Sequence, residues 1–185
     1  MVPSFDFQPD LSSVCLRLKP LAEGDLEALY LAASSPETWA GHPSKDRYRR
    51  EVFEPYARTL LESGGTLAVI DRSENRIVGC SRFYVSPDQP ESISIGFTFL
   101  HHTRWGGRTN FELKRLMLDH AFGTFSEVWF HISPINIRSQ LATRKLGAGY
   151  MGDAVLDLSG QAAQWMCFRL SKENWERICR DRQDL

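Results

Sequence analysis

The chain has 185 residues, 42% apolar and 24% charged, with a formal net charge of -1. That is enough for one domain with its own core, and it excludes a disordered, fibrous or membrane composition. The charge balance and a pI near 6.5 lack the basic footprint of a nucleic-acid binder, and no stretch reaches membrane-spanning length. Cys15, Cys80, Cys167 and Cys179 are scattered without CxxC spacing, which suggests reduced thiols and neither a metal site nor a disulfide framework. The opening MVPSFDFQPD has no basic segment leading into an apolar run, so no signal peptide is expected and the cytoplasm is the expected compartment. A single domain is expected over 15–180, with 1–14 and 181–185 as terminal segments.

CLRLKP alternates as a short strand, and Asp25 opens an amphipathic segment through Leu26, Leu29 and Tyr30 that fades at Ser34, Ser35 and Pro36. A second helix is expected from Tyr48 to Leu61, stopped by Gly64 and Gly65. Three apolar runs follow as a meander: TLAVID, then RIVGCSRFYV after a Ser73–Asn75 turn, then SISIGFTFL after a Pro87–Pro90 loop. TNFELKRLMLDHAF has helical period through Leu113, Leu116, Met117 and Ala121, and EVWFHI alternates as a strand. Asn136 to Leu146 reads as a helix closed by Gly147. AVLDL and QWMCFRL flank a Ser159–Gly160 turn before a terminal helix, KENWERI. The order is that of an α/β domain.

The most informative segment is RWGGRTNFEL. Gly106 and Gly107 let the backbone turn tightly and come close to a ligand. Thr109 with Glu112 has the spacing of a capping box. Free first-turn amides, the positive end of the helix dipole, Arg104 and Arg108 together suit a pyrophosphate. Neither a P-loop nor the dinucleotide-binding glycine fingerprint is present.

RWGGRT resembles the [QR]-x-x-G-x-[GA] loop of GNAT acetyltransferases, with Thr109 at the last position, and NIRSQLATRKLGA resembles that family's N-x-x-S-x-x-x-x-x-K-x-G-[FA] segment. Within the family the similarity is greatest to the RimJ/RimL-type branch, where an alanine such as Ala148 follows the glycine. The resemblance implies a mixed, mostly antiparallel twisted sheet of about seven strands flanked by helices, with the fourth and fifth strands splayed and a bulge near Gly96. It implies that amides of Phe99, Leu100 and His101 hold the pantetheine of acetyl-CoA, that Arg104, Trp105, Gly106, Gly107, Arg108 and Thr109 hold its pyrophosphate, and that Asn136 and Ser139 face the thioester. Asn136 has a second compatible role as an N-cap.

The implied reaction is direct attack of an amine on the thioester, which needs one base and one acid. The family's tyrosine acid aligns with Thr143, so Ser139 is the candidate acid. The family's glutamate base aligns with Ser94, leaving His101 and His131 as candidate bases and Asp157 as a carboxylate option. Trp39 and Ser94 are candidate acceptor-binding residues; no metal, nucleic-acid or membrane partner is expected, and monomer and homodimer remain open. The alternatives are a GNAT-fold acyl-CoA-binding module without chemistry and an unrelated phosphate-binding α/β domain.

Overall fold

The computed structural model describes residues 4–183. Its strands are β1 (Leu11–Ser12), β2 (Leu16–Pro20), β3 (Thr66–Asp71), β4 (Arg76–Ser86), β5 (Gln89–Leu100), β6 (Glu127–Ile132), β7 (Gly149–Asp157) and β8 (Ala162–Ser171). The helices are α1 (Leu26–Ala33), α2 (Pro36–Trp39), α3 (Arg50–Glu62), α4 (Thr109–Phe122), α5 (Ile137–Lys145) and α6 (Lys172–Gln183). The eight strands form one mixed sheet in the order β1-β2-β3-β4-β5-β6-β8-β7. Only about seven strands were expected; the addition is β1, where Leu11 and Ser12 pair with Leu18 and Arg17. This short piece satisfies backbone groups that an edge strand would otherwise leave open.

The chain divides into two compact units, and β4 and β5 contribute residues to both. One comprises Asp6–Phe83 and Phe97–Met117. Its core gathers Leu29, Ala33, Trp39, Phe53, Leu60, Cys80 and Phe99. Burying each large apolar side chain there contributes about 1.5–3 kcal/mol. Pro36 at the first turn of α2 separates that helix from α1, because a proline ring fits a helix start and not its interior.

The other unit contains Phe5, Tyr84–Gly96 and the described chain from Leu118 onward. Leu118, Ala121, Phe122, Val128, Phe130, Phe168, Leu170 and Trp175 are buried in it. β6 pairs with β8 along its own whole length, from Glu127↔Ser171 to Ile132↔Met166. The parallel ladder between β5 and β6 has only two register pairs, Ile93↔Val128 and Ser94↔Trp129, as expected of strands that part. β5 is also irregular next to this point: Phe97 has φ 50, a conformation a bulky side chain adopts only when its surroundings enforce it. The irregularity was expected near Gly96 and falls one residue later.

Candidate functional site

In the first unit β5 leads directly into the expected phosphate loop. His101 N–H donates to Val78 O at 2.8 Å, which commits that amide to the sheet. Alternation turns Leu100 the other way, and its carbonyl accepts the Trp105 indole N–H at 2.9 Å. Gly106 has φ 72 and a Cβ there would meet nothing within 4 Å, so backbone conformation alone selects glycine. α4 then begins at Thr109, and Glu112 N–H donates to Arg108 O at 2.9 Å, making Arg108 the residue that caps the helix. The expected capping box is not formed, because Thr109 is already the first residue of the helix and not its cap, and the Glu112 carboxylate accepts the Ser13 hydroxyl. The amides of Thr109 and Asn110 have no carbonyl one turn behind them, which leaves an anion-binding helix start.

Charge around the loop is distributed unevenly. Arg104 is bound by Asp71 at 3.0 Å and by Glu74, and the hydroxyl of Ser73, backbone amides and Arg104 hold the Asp71 carboxyl below its usual range. Arg108 is exposed and makes no ion pair among the described residues, so it is the cation of the loop available to a ligand. His101 Nδ1 is 2.8 Å from Thr103 Oγ1 and caps the short turn that follows. Burial, reinforced by His102, Arg76 and Arg104, pulls its pKa down. Trp39 lies in the same unit at 1% exposure, donates its indole N–H to Ala33 O at 2.7 Å and packs on Phe99 with ring centroids 5.1 Å apart. Its ring is a core element beneath the end of β5.

In the second unit Asn136 caps α5: its Oδ1 accepts the Ser139 N–H at 3.2 Å. The Ser139 hydroxyl has no hydrogen-bond partner among the described residues and is partly exposed, so it can donate to a bound group. Ser94 is fully buried and its hydroxyl has no partner.

His131 lies in a polar cluster that strand alternation did not disclose. Its Nδ1 is 2.9 Å from Tyr84 Oη, and its Nε2 is 3.3 Å from both Ser86 Oγ and the Asp88 carboxylate. The Ser86 hydroxyl donates to Asp88. Cys167 faces His131 across the β6–β8 ladder, with its Sγ 3.9 Å from Asp88 Oδ2. Donor atoms of Asp88, His131 and Cys167 lie within 4.8 Å of one another, close enough to hold a metal ion, yet the hydroxyl, imidazole and thiol already surround the carboxylate. Burial holds the His131 imidazole below its ordinary value, and the opposing pull of Asp88 is smaller. Burial, with Asp88 and Asp153 nearby, pushes the Cys167 thiol up to about 11. Tyr84, Ser86 and Asp88 escaped sequence reading because their partner lies more than forty residues away. The period of two from Tyr84 to Ser86 along β4 is the one local sign that those two share a face, and Asp88 follows in the turn.

Residues 16–149 match the family described as acetyltransferase (GNAT) domain. Among solved structures, the chain is similar to a GCN5-related N-acetyltransferase from Brucella melitensis, at 17% identity and TM-score 0.79, covering 96% of this chain and 85% of that one. It is also similar to an acetyltransferase (GNAT family) from Bacillus anthracis, at 15% identity and TM-score 0.69, with coverages of 89% and 99%. Mycobacterium smegmatis RimJ in complex with CoA-disulfide matches at 18% identity and TM-score 0.62, with coverages of 90% and 88%. At these identities the likeness is one of fold. No curated protein matches the chain. Among the described residues no helix is long and apolar enough to cross a membrane.

Proposed function

The chain belongs to the GNAT acetyltransferase family, and from that membership we propose that it moves an acetyl group from acetyl-CoA to a primary amine by direct attack on the thioester. The observation that carries this reading is β5, which loses its partner on β6 beyond Ser94, bears a left-handed Phe97, and ends at the glycine corner opening α4. A strand with an unpaired edge can hydrogen-bond an amide-bearing arm, and a helix start with an exposed arginine suits the phosphates. We assign the pantetheine contacts to the backbone at Leu100, which faces away from β4 while Phe99 and His101 face it, and the pyrophosphate contacts to Gly106, Gly107, Arg108 and Thr109. Arg104 and Trp105 brace that loop.

Acetyl-CoA supplies the activated acyl group; the chain has to orient it and move protons. Ser139, with its unpartnered hydroxyl, serves as the acid that protonates the departing thiolate. His131 receives the proton of the attacking amine. Burial keeps its imidazole neutral at pH 7, whereas His101 is committed to its own turn. The acceptor we favour is a protein N-terminus, as in the RimJ/RimL-type branch, supported by Ala148 after Gly147 and by the Asn136–Ser139 pair. The four cysteines are free thiols, which supports action in the cytoplasm.

Thiol release from acetyl-CoA tests the reading, with a serine-initiated tetrapeptide, spermidine and an aminoglycoside as acceptors. Release that requires one of these amines is the expected result. Binding of acetyl-CoA without release to any amine supports a sensor module instead.

A further inference from the structure

We propose that Tyr84 is the catalytic residue that takes the proton from the attacking amine, passing its own hydroxyl proton to His131, which Asp88 positions. This deepens the acetyl-transfer reading and rests on it. The His131 side chain is 0% exposed and Tyr84 is itself only 6% exposed, but the Tyr84 hydroxyl covers Nδ1, so a proton from an acceptor amine reaches the imidazole through the phenol. Its tautomer follows from its neighbours. The Asp88 carboxylate only accepts hydrogen bonds and already takes the Ser86 hydroxyl, so the Nε2 that faces it carries the ring proton. Nδ1 is therefore the lone pair, and Tyr84 Oη–H donates to it at 2.9 Å. A proton reaching that lone pair comes through the phenol.

Tyr84 also packs against β5. A Cβ at Gly96 would be 3.0 Å from Tyr84 Cε1 and 3.3 Å from its hydroxyl, so glycine at this position lets the ring cross β5. The crossing falls after the last β5–β6 register pair, Ser94↔Trp129, and one residue before Phe97. The buried, unpartnered Ser94 hydroxyl lies two residues from Gly96 on the same face of the strand. The groups facing His131 are Tyr84 and Ser86 from β4, Asp88 from the turn, and Cys167 from β8.

The step balances. As the amine nitrogen bonds to the acetyl carbon, its N–H proton moves to Tyr84 Oη and the Oη proton moves to His131 Nδ1. The resulting imidazolium faces Asp88. The C–S bond breaks as the adduct collapses, the coenzyme thiolate takes a proton from Ser139, Ser139 recovers one from solvent, and His131 returns its own through Tyr84 to solvent.

The test compares wild type, Tyr84→Phe and Asp88→Asn in thiol release from acetyl-CoA with the tetrapeptide or spermidine across pH 5.5–9.5, with melting curves for each protein. Tyr84→Phe is expected to lower kcat about 100-fold at pH 7 with the KM for acetyl-CoA unchanged. That deficit persists as pH rises toward the amine's own pKa, because the proton released as the N–C bond forms has to leave even when the amine arrives unprotonated. Asp88→Asn moves the acid limb of the kcat profile to lower pH, since the carboxylate raises the His131 pKa. Nitrogen chemical shifts of the wild-type imidazole, which need no variant, are expected to show the Nε2–H form. Turnover unchanged in Tyr84→Phe, or an Nδ1–H tautomer, overturns the relay alone. No turnover by wild type with any amine overturns the acetyl-transfer reading and the relay with it.

Discussion

Lys114 is buried on α4, with its Nζ 2.7 Å from Thr98 Oγ1 and 3.3 Å from Ser81 Oγ. Desolvation brings its pKa from 10.5 down to about 7. Between those values the unfolded chain binds the extra proton, so stability rises as pH increases from about 7 toward 10.5 and falls on the way back. Lys114→Met should flatten that slope and raise stability at pH 7 by about 1–3 kcal/mol, because Ser81 and Thr98 still bond each other at 2.6 Å. Chemical denaturation of both proteins at pH 7 and pH 9.5 checks it; equal slopes would show that Lys114 does not titrate in this range. Arg108 stands at the other extreme, exposed and without an ion pair among the described residues. Arg108→Glu should weaken acetyl-CoA binding roughly 10- to 100-fold, measured by calorimetry, with the melting temperature of the free protein unchanged.

At the level of the element, β5 bears most of the functional argument and was only partly legible. TLAVID and EVWFHI coincide with β3 and β6 to the residue, because a short apolar stretch bounded by polar turns is local information. The irregularity of SISIGFTFL was legible as a glycine inside a strand, but not its cause: Gly96 accommodates the Tyr84 ring, and the left-handed residue is Phe97. The capping box failed for a similar reason. Glu112 has the right spacing from Thr109, yet its carboxylate goes to Ser13, 99 positions away, a contact no window of sequence contains. Gly96→Ala separates the two roles of this strand. The added Cβ displaces the Tyr84 ring and should cost about 1–3 kcal/mol of stability and most of the turnover, leaving acetyl-CoA affinity nearly intact. An equal loss of affinity in calorimetry would place Gly96 in coenzyme binding instead.

For the whole molecule, ligand binding and folding are linked. If acetyl-CoA binds only the folded chain, a concentration 100 times its Kd should add about 2.7 kcal/mol, seen as a rise in melting temperature that grows with the logarithm of concentration. Adenosine alone, lacking the pyrophosphate, should give much less. With a formal net charge of -1, the chain offers an anionic coenzyme little long-range attraction. The two carboxylates gripping Arg104 sharpen this: a guanidinium that looks, on paper, like half of the loop's positive charge is electrically spent inside the fold. Capture then depends on aligned peptide dipoles and one arginine, so a sixfold rise in ionic strength should slacken coenzyme binding by no more than about fivefold, and saline buffers would leave the protein competent.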